Sequence, residues 1–156
     1  RVLSEDGWLN TGDIGYLADG LLTITGRKKD LIIIHGRNIW PQDLEHIAES
    51  LQEVRAGDAV AFSAPDHEGE EQCVLLVQCR ETDPNKRHSL VQRLTALLRK
   101  EMNLDCLVEL VPIHSLPRTS SGKLSRAKAR LDFIATHDAE SLDAFVEEAR
   151  LRVASA

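Results

Sequence analysis

The chain has 156 residues, with 19 Lys and Arg against 25 Asp and Glu and a formal net charge of −6. That size fits one ordinary domain, or a domain with a fragment of another, and the acidic balance argues against nucleic-acid binding. Apolar residues make up 42% of it, enough for a real core, while no apolar run approaches the roughly 20 residues of a membrane span and no signal peptide is visible.

The chain opens on Arg1-Val2-Leu3, as though continuing a larger protein, and residues 1–20 mix charges without a core pattern. This segment is therefore assigned to a neighbouring domain. Leu21 to Thr25 and Leu31 to Ile34 are β-prone runs flanking Gly26-Arg27-Lys28-Lys29-Asp30, and they are expected to pair across that turn. Gly36 breaks the pattern. Pro41 opens a helix with Asp43 and Glu45 in its first turn, facing the positive end of the dipole. Leu44, Ile47, Ala48 and Leu51 give it the i, i+3, i+4, i+7 stripe of a core-facing helix.

Ala59 to Phe62 and Cys73 to Cys79 read as buried strands separated by an acidic loop, Asp66 to Glu71. Ser89 with Gln92 forms a capping box for a helix whose Leu90, Leu94, Leu97 and Leu98 face the core. Leu107 to Val111 reads as a further strand ended by Pro112. Two helices close the chain, the second carrying Leu142, Phe145, Val146 and Ala149 on one face. The expected fold is α+β, a small mixed or antiparallel sheet of about three strands flanked by helices and preceded by a β-hairpin. Cys73, Cys79 and Cys106 are odd in number, apolar in setting and without Cys-x-x-Cys spacing, which points to free thiols in a cytoplasmic protein. The six histidines are scattered without ligand spacing, and no metal site is expected among these residues.

The most informative stretch is Pro117-Arg118-Thr119-Ser120-Ser121-Gly122-Lys123-Leu124-Ser125-Arg126. It sets Lys123 on a small polar loop ahead of a basic helix. Gly122 frees the backbone and Ser125 is placed to cap the helix. A lysine so placed is a movable point charge, suited to a phosphate or carboxylate that comes and goes. The plain alternative is a solvated loop lysine. A Walker loop does not fit, because Pro117 stands for its first glycine and Leu124 for its Ser/Thr. Arg118, Lys123, Arg126, Lys128 and Arg130 form a basic stretch that either meets something anionic or merely solvates a helix face.

Three segments, in order, resemble the adenylate-forming superfamily of acyl-CoA synthetases, luciferases and peptide-synthetase adenylation domains. They are Gly7-Trp8-Leu9-Asn10-Thr11-Gly12-Asp13-Ile14-Gly15, similar to that family's Thr-Gly-Asp motif; Gly26 to Asp30 running on to Gly36 and Pro41; and Pro117 to Arg126. The resemblance implies activation of a carboxylate by ATP with Mg2+, which the family binds mainly with an upstream domain. It implies Asp13 on the ribose hydroxyls, Arg27 on the ribose or phosphate side, and Lys123 bridging the substrate carboxylate and the α-phosphate. Lys29 aligns with the family's hinge, and Gly36 lies on the loop that faces the thiol acceptor. Residues 1–28 then resemble the end of the large N-terminal domain, and 29–156 the small mobile domain.

Gly36-Arg37-Asn38-Ile39-Trp40-Pro41-Gln42-Asp43-Leu44-Glu45 is similar to the pattern of fatty acyl-AMP ligases, with Trp40 where that pattern has tyrosine. Those enzymes pass the acyl group to a phosphopantetheinylated acyl carrier protein rather than to free CoA. Such carriers are acidic, so Arg126, Lys128 and Arg130 are a candidate docking surface. The alternatives are a long-chain acyl-CoA synthetase and a non-catalytic carrier-binding module. A nucleic-acid binder ranks below both.

Overall fold

Turn chemistry decides the first strand pairings. The structure, a computed structural model, describes residues 3–137 and 139–154. Strands β1 (Asp13–Ala18) and β2 (Leu21–Arg27) pair antiparallel about Asp19-Gly20, both in the left-handed region at φ 50° and 78°. One turn of 3-10 helix, Lys28–Asp30, follows. Strands β3 (Ile32–Ile34) and β4 (Arg37–Ile39) pair about His35-Gly36, at φ 48° and 77°. Two-residue turns with both φ positive match the twist of antiparallel strands.

The expected pairing of Leu21–Thr25 with Leu31–Ile34 therefore does not form. Residues 28–30 coil instead of reversing the chain, and each β-prone run finds a nearer partner across its own two-residue turn. Two hairpins precede the main sheet where one was expected.

Helix α1 (Pro41–Glu49) starts with Pro41 at its first turn and buries Leu44 and Ala48, with Ile47 and Leu51 packed partly beside them. Asp43 lies in the first turn, but Glu45 lies beyond it and turns to other partners. The main sheet has the order β5 (Ala59–Pro65), β6 (Glu71–Gln78), β7 (Leu107–Val111). β5 and β6 run antiparallel, and β6 and β7 parallel. A parallel pair needs a crossover, and α2 (Pro84–Met102) supplies it.

Alternation along the strands builds two cores. Ala59, Ala61, Cys73, Leu75 and Val77 face α1, α2 and the β3–β4 hairpin, against Ile32, Leu44, Leu94 and Leu98. Val60, Phe62, Ala64, Val74 and Leu76 face the other side, against Leu116, Ala129, Phe133 and Leu142. Those last three come from α3 (Arg126–Thr136) and α4 (Ala139–Ala154). Phe133 meets Phe62 edge-on with ring centroids 5.6 Å apart. On α4, Leu142 is buried and Phe145 and Val146 are half-buried, while the side chain of Ala149 lies outside the described residues. The sheet is thus covered on both faces, which is why β5 and β6 read as continuous apolar runs.

Two helix starts differ from expectation. α2 begins at Pro84, five residues before Ser89, because Asp83 caps it by accepting from the amides of Asn85 and Lys86. Asp followed by Pro joins a good cap to a residue preset for the first turn, which leaves Ser89 inside the helix. Ser125 occupies the N-cap position of α3 but makes no capping side-chain hydrogen bond.

Asp83→Ala should then cost about 1 kcal/mol in urea unfolding, and Ser89→Ala less than about 0.5 kcal/mol. The reverse order would reinstate the Ser89 cap.

Candidate functional site

The Lys123 loop is a closed hairpin. Arg118 bridges Leu124 across its base, the Thr119 amide donates to the Lys123 carbonyl at 2.8 Å, and the Gly122 amide donates to the Thr119 carbonyl at 2.9 Å. Gly122 sits at φ 81° with open space where a Cβ would go, so backbone conformation, not crowding, selects glycine there. The Ser125 amide donates to the Pro117 carbonyl at 2.8 Å, tying the exit of the loop to its entrance. Arg118 is a strap: its guanidinium donates to the carbonyls of Gly122 (2.9 Å) and Gly57 (3.1 Å). Lys123 is exposed and has no ion-pair partner among the described residues.

Asp13 and Arg27 are register partners across β1 and β2, with Asp13 Oδ1 3.5 Å from Arg27 Nε. Both are solvent-accessible, so the pair is loose and open to exchange for a ligand. The Lys28 amide donates to the Gly12 carbonyl at 2.9 Å and carries the ladder up to the 3-10 turn. Lys29 is exposed on that turn, and Gly36 lies at the tip of the β3–β4 hairpin. The fold thus brings Asp13 and Arg27 together. No hydrogen bond or ion pair among the described residues joins Lys123 to either of them. Across the turn, the Trp40 ring covers Gly26, where a Cβ would come within 2.7 Å of it. Arg37 donates to the carbonyls of Met102 and Asn103 at 2.7 and 2.8 Å, finishing the C-terminus of α2. Among the described residues no group of three or more His, Cys, Asp or Glu is placed to hold a metal ion.

The basic stretch is not a free cationic surface. Arg126 is enclosed between Asp30 and Glu45, each only 16–18% exposed at the side chain. Arg130 donates to the Ser63 carbonyl at 2.7 Å and lies 3.6 Å from Glu71. Lys128 pairs with Asp132 one turn along α3. Asp30 and Glu45 are the polar residues that sequence reading missed. The available signal was Glu45 standing between Leu44 and Ile47 in the core-facing stretch of α1.

Burial pushes the Glu45 carboxyl above its ordinary value, outweighing the opposite pull of Arg126 and of the hydrogen bond from the Ala61 amide. A cleft of about 330 Å³ opens beside this cluster, lined by Lys29, Asp30, Leu31, Arg126, Ala127 and Arg130 among others.

The described residues thus offer an exposed lysine on a strapped loop and, apart from it, a loose Asp13–Arg27 pair on the first hairpin. The chain is 52% identical over 136 residues to a Caulobacter vibrioides protein that carries the provisional name of an acyl-CoA synthetase, a match covering 86% of this chain and 24% of that one. It is 37% identical over 160 residues to the medium-chain fatty acid–acyl-carrier-protein ligase of Moorena producens, covering 98% of this chain and 26% of the relative. A solved structure from work on fatty acyl-adenylate ligases of E. coli and L. pneumophila superposes with a TM-score of 0.73 and 50% identity, over 81% of this chain and 22% of that one. The chain belongs to the adenylate-forming ligases. No protein-family model matches it. It spans about a quarter of the length of the curated relatives it matches, in their C-terminal part.

A carboxylate whose folded pKa is raised binds its proton more readily folded than unfolded, so its contribution to stability is greatest at low pH and is lost as pH rises through the folded value. The stability difference between the parent chain and Glu45→Gln should therefore move against the parent as pH rises from roughly 4 to 7. Urea midpoints at several pH values give the sign, and the opposite trend would mean that Arg126 outweighs burial.

Proposed function

We propose that this chain is the C-terminal part of a fatty acyl-AMP ligase, an enzyme that activates a fatty acid with ATP to the acyl-adenylate and hands it to an acyl carrier protein. The observation that carries this reading is Lys123, an exposed cation with no ion-pair partner among the described residues, on a loop whose backbone is otherwise strapped. Placed against the reacting groups, its ammonium lies between the substrate carboxylate and the α-phosphate and offsets the negative charge that accumulates as pyrophosphate leaves. Asp13 accepts from the ribose hydroxyls, which its accessible carboxylate can do with both oxygens. Arg27 frames the nucleotide from the ribose or phosphate side. Mg2+ accompanies the ATP and is held mainly by the larger upstream domain.

Residues 1–28 are the end of that larger domain and 29–156 the mobile one. The β1–β2 hairpin supports the division. Leu17, Leu21 and Leu22 stand 66–76% exposed there, and Trp8, ahead of the hairpin, 77%, an apolar surface that a covering domain would bury. Lys29 is the hinge. Rotation about it withdraws Lys123 after adenylation and turns Leu31–Gly36 toward the arriving pantetheine thiol. Three buried free thiols accord with a cytoplasmic protein. Among the described residues no helix is long and apolar enough to cross a membrane.

Carrier loading is favoured over CoA by the Gly36–Glu45 segment and by the carrier-protein ligase among the relatives. The name of the Caulobacter relative favours the acyl-CoA synthetase reading. Thioester assays with CoA and with carrier protein separate the two. The docking role of Arg126, Lys128 and Arg130 is narrowed, because Arg126 is enclosed between two acids and Arg130 is bonded to a strand carbonyl, which leaves the exposed Lys128 as the accessible charge of the three. A non-catalytic carrier-binding module is the remaining alternative. It requires the full-length protein not to adenylate.

In the full-length protein, Lys123→Ala should slow adenylate formation by roughly 10²-fold, the scale for removing one preorganised transition-state partner. Transfer from supplied acyl-adenylate should change far less. Equal losses in both half-reactions would overturn the two-pose assignment. The chain by itself should give no pyrophosphate exchange, and activity at this length would contradict the division of labour.

A further inference from the structure

We propose that Arg126 is a positioning residue that locks the hinge turn to the Lys123 loop, so that the two swing as one body. This deepens the reading above and rests on it for the role of Lys123. The guanidinium is held on three sides. Its Nε donates to the Ala61 carbonyl at 2.9 Å, Nη1 donates to Asp30 Oδ2 at 3.1 Å, and Nη2 donates to the two Glu45 oxygens at 2.8 and 3.0 Å. Glu45 Oε1 also accepts from the Ala61 amide at 2.9 Å. These contacts close a ring through α1, β5 and α3.

The positions of the members give the ring its meaning. Asp30 is the last residue of the 3-10 turn and the direct neighbour of Lys29. Arg126 is the first residue of α3, three residues after Lys123. Between them the loop is already stiff, because the Ser125 amide is bonded to the Pro117 carbonyl and Arg118 bridges Leu124. A continuous path therefore runs from the hinge turn through one guanidinium to the base of the lysine loop.

Arginine suits this task because its planar fork reaches several acceptors at once, whereas a lysine ammonium is a point charge on a flexible stem. Rotation about the hinge delivers Lys123 to a fixed spot only if nothing along that path yields. A displacement of about 1 Å at the reacting groups can cost as much as 10²-fold in rate.

The experiment pairs Arg126→Lys with Asp30→Asn, both mild enough to keep the fold. In the isolated chain, hydrogen exchange at the amides of Leu31, Thr119 and Ser125 should rise together by roughly tenfold in either variant, with Val74 and Leu76 unchanged. In the full-length enzyme, either variant should lower kcat for adenylate formation roughly tenfold with KM for ATP unchanged. The double variant should fall no further, as expected for two residues in one linkage. Uniform acceleration of exchange across the sheet would reduce Arg126 to a stability role and overturn the proposal, as would parental adenylation by Arg126→Lys or additive losses. If the parent full-length protein does not adenylate, the functional reading fails by itself, and the exchange pattern still decides whether the hinge and loop are coupled.

Discussion

One guanidinium inserted among two carboxylates and a strand carbonyl organises this chain. Removing charges from water is costly, and their mutual attraction offsets that cost only when geometry is good and the remaining polar atoms are satisfied. Arg126 meets that condition with contacts to Asp30, Glu45 and Ala61, while Glu45 takes a further hydrogen bond from the Ala61 amide. Net stabilisation need not be large, and the upward displacement of the Glu45 carboxyl means burial still outweighs pairing at that residue. What the cluster supplies is register. A slip among α1, β5, α3 and the turn before β3 would leave one of these half-buried charges without its partner.

The sheet makes such an arrangement possible. β6 is central, antiparallel to β5 and parallel to β7, and the crossover through α2 leaves the opposite face for α3 and α4. Each face has its own apolar set, with Leu94 and Leu98 on one side and Phe62 and Phe133 on the other. The lysine loop is anchored on the second of these faces. It leaves the edge strand β7 through Leu116, buried on the second face, and returns into α3. A loop anchored at both ends by buried residues can present a side chain to solvent without wandering, which is how binding and catalytic groups are usually carried.

Sequence periodicity read the strands of the main sheet, α1 and Leu90, Leu94 and Leu98 of α2 well, because those segments are buried on a regular face, whereas Leu97 is half-buried and lies outside the core. It read strand pairing badly at the N-terminus. β-propensity marks a strand but not its partner, and the partner was set by Asp19-Gly20 and His35-Gly36, two short signals outweighed by a longer apolar run. The start of α2 was misplaced for a similar reason: Asp83-Pro84 is a stronger start than Ser89 with Gln92, yet it precedes the apolar stripe. The Arg126 cluster was beyond local reading altogether, since its partners lie 81 and 96 residues away. Resemblance supplied the candidate site residues, and three-dimensional pairing supplied the distinction among them.

That distinction is the most useful physical guide to the site. Five cations crowd residues 118–130, and composition alone treats them alike. Arg118 is bound to backbone carbonyls, Arg126 to two acids, Arg130 to a strand carbonyl beside Glu71, and Lys128 to Asp132. Lys123 is the member with no such tie among the described residues. Guanidinium groups, with donors fixed in a plane, are bound to carbonyls and carboxylates of the scaffold. The ammonium, compact and rotatable, stays in water. On the proposed reading, a site that must grip an anion in one step and release it in the next needs a charge the fold has not already engaged, and among the five cations of this stretch Lys123, with no partner among the described residues, is the one that meets that need.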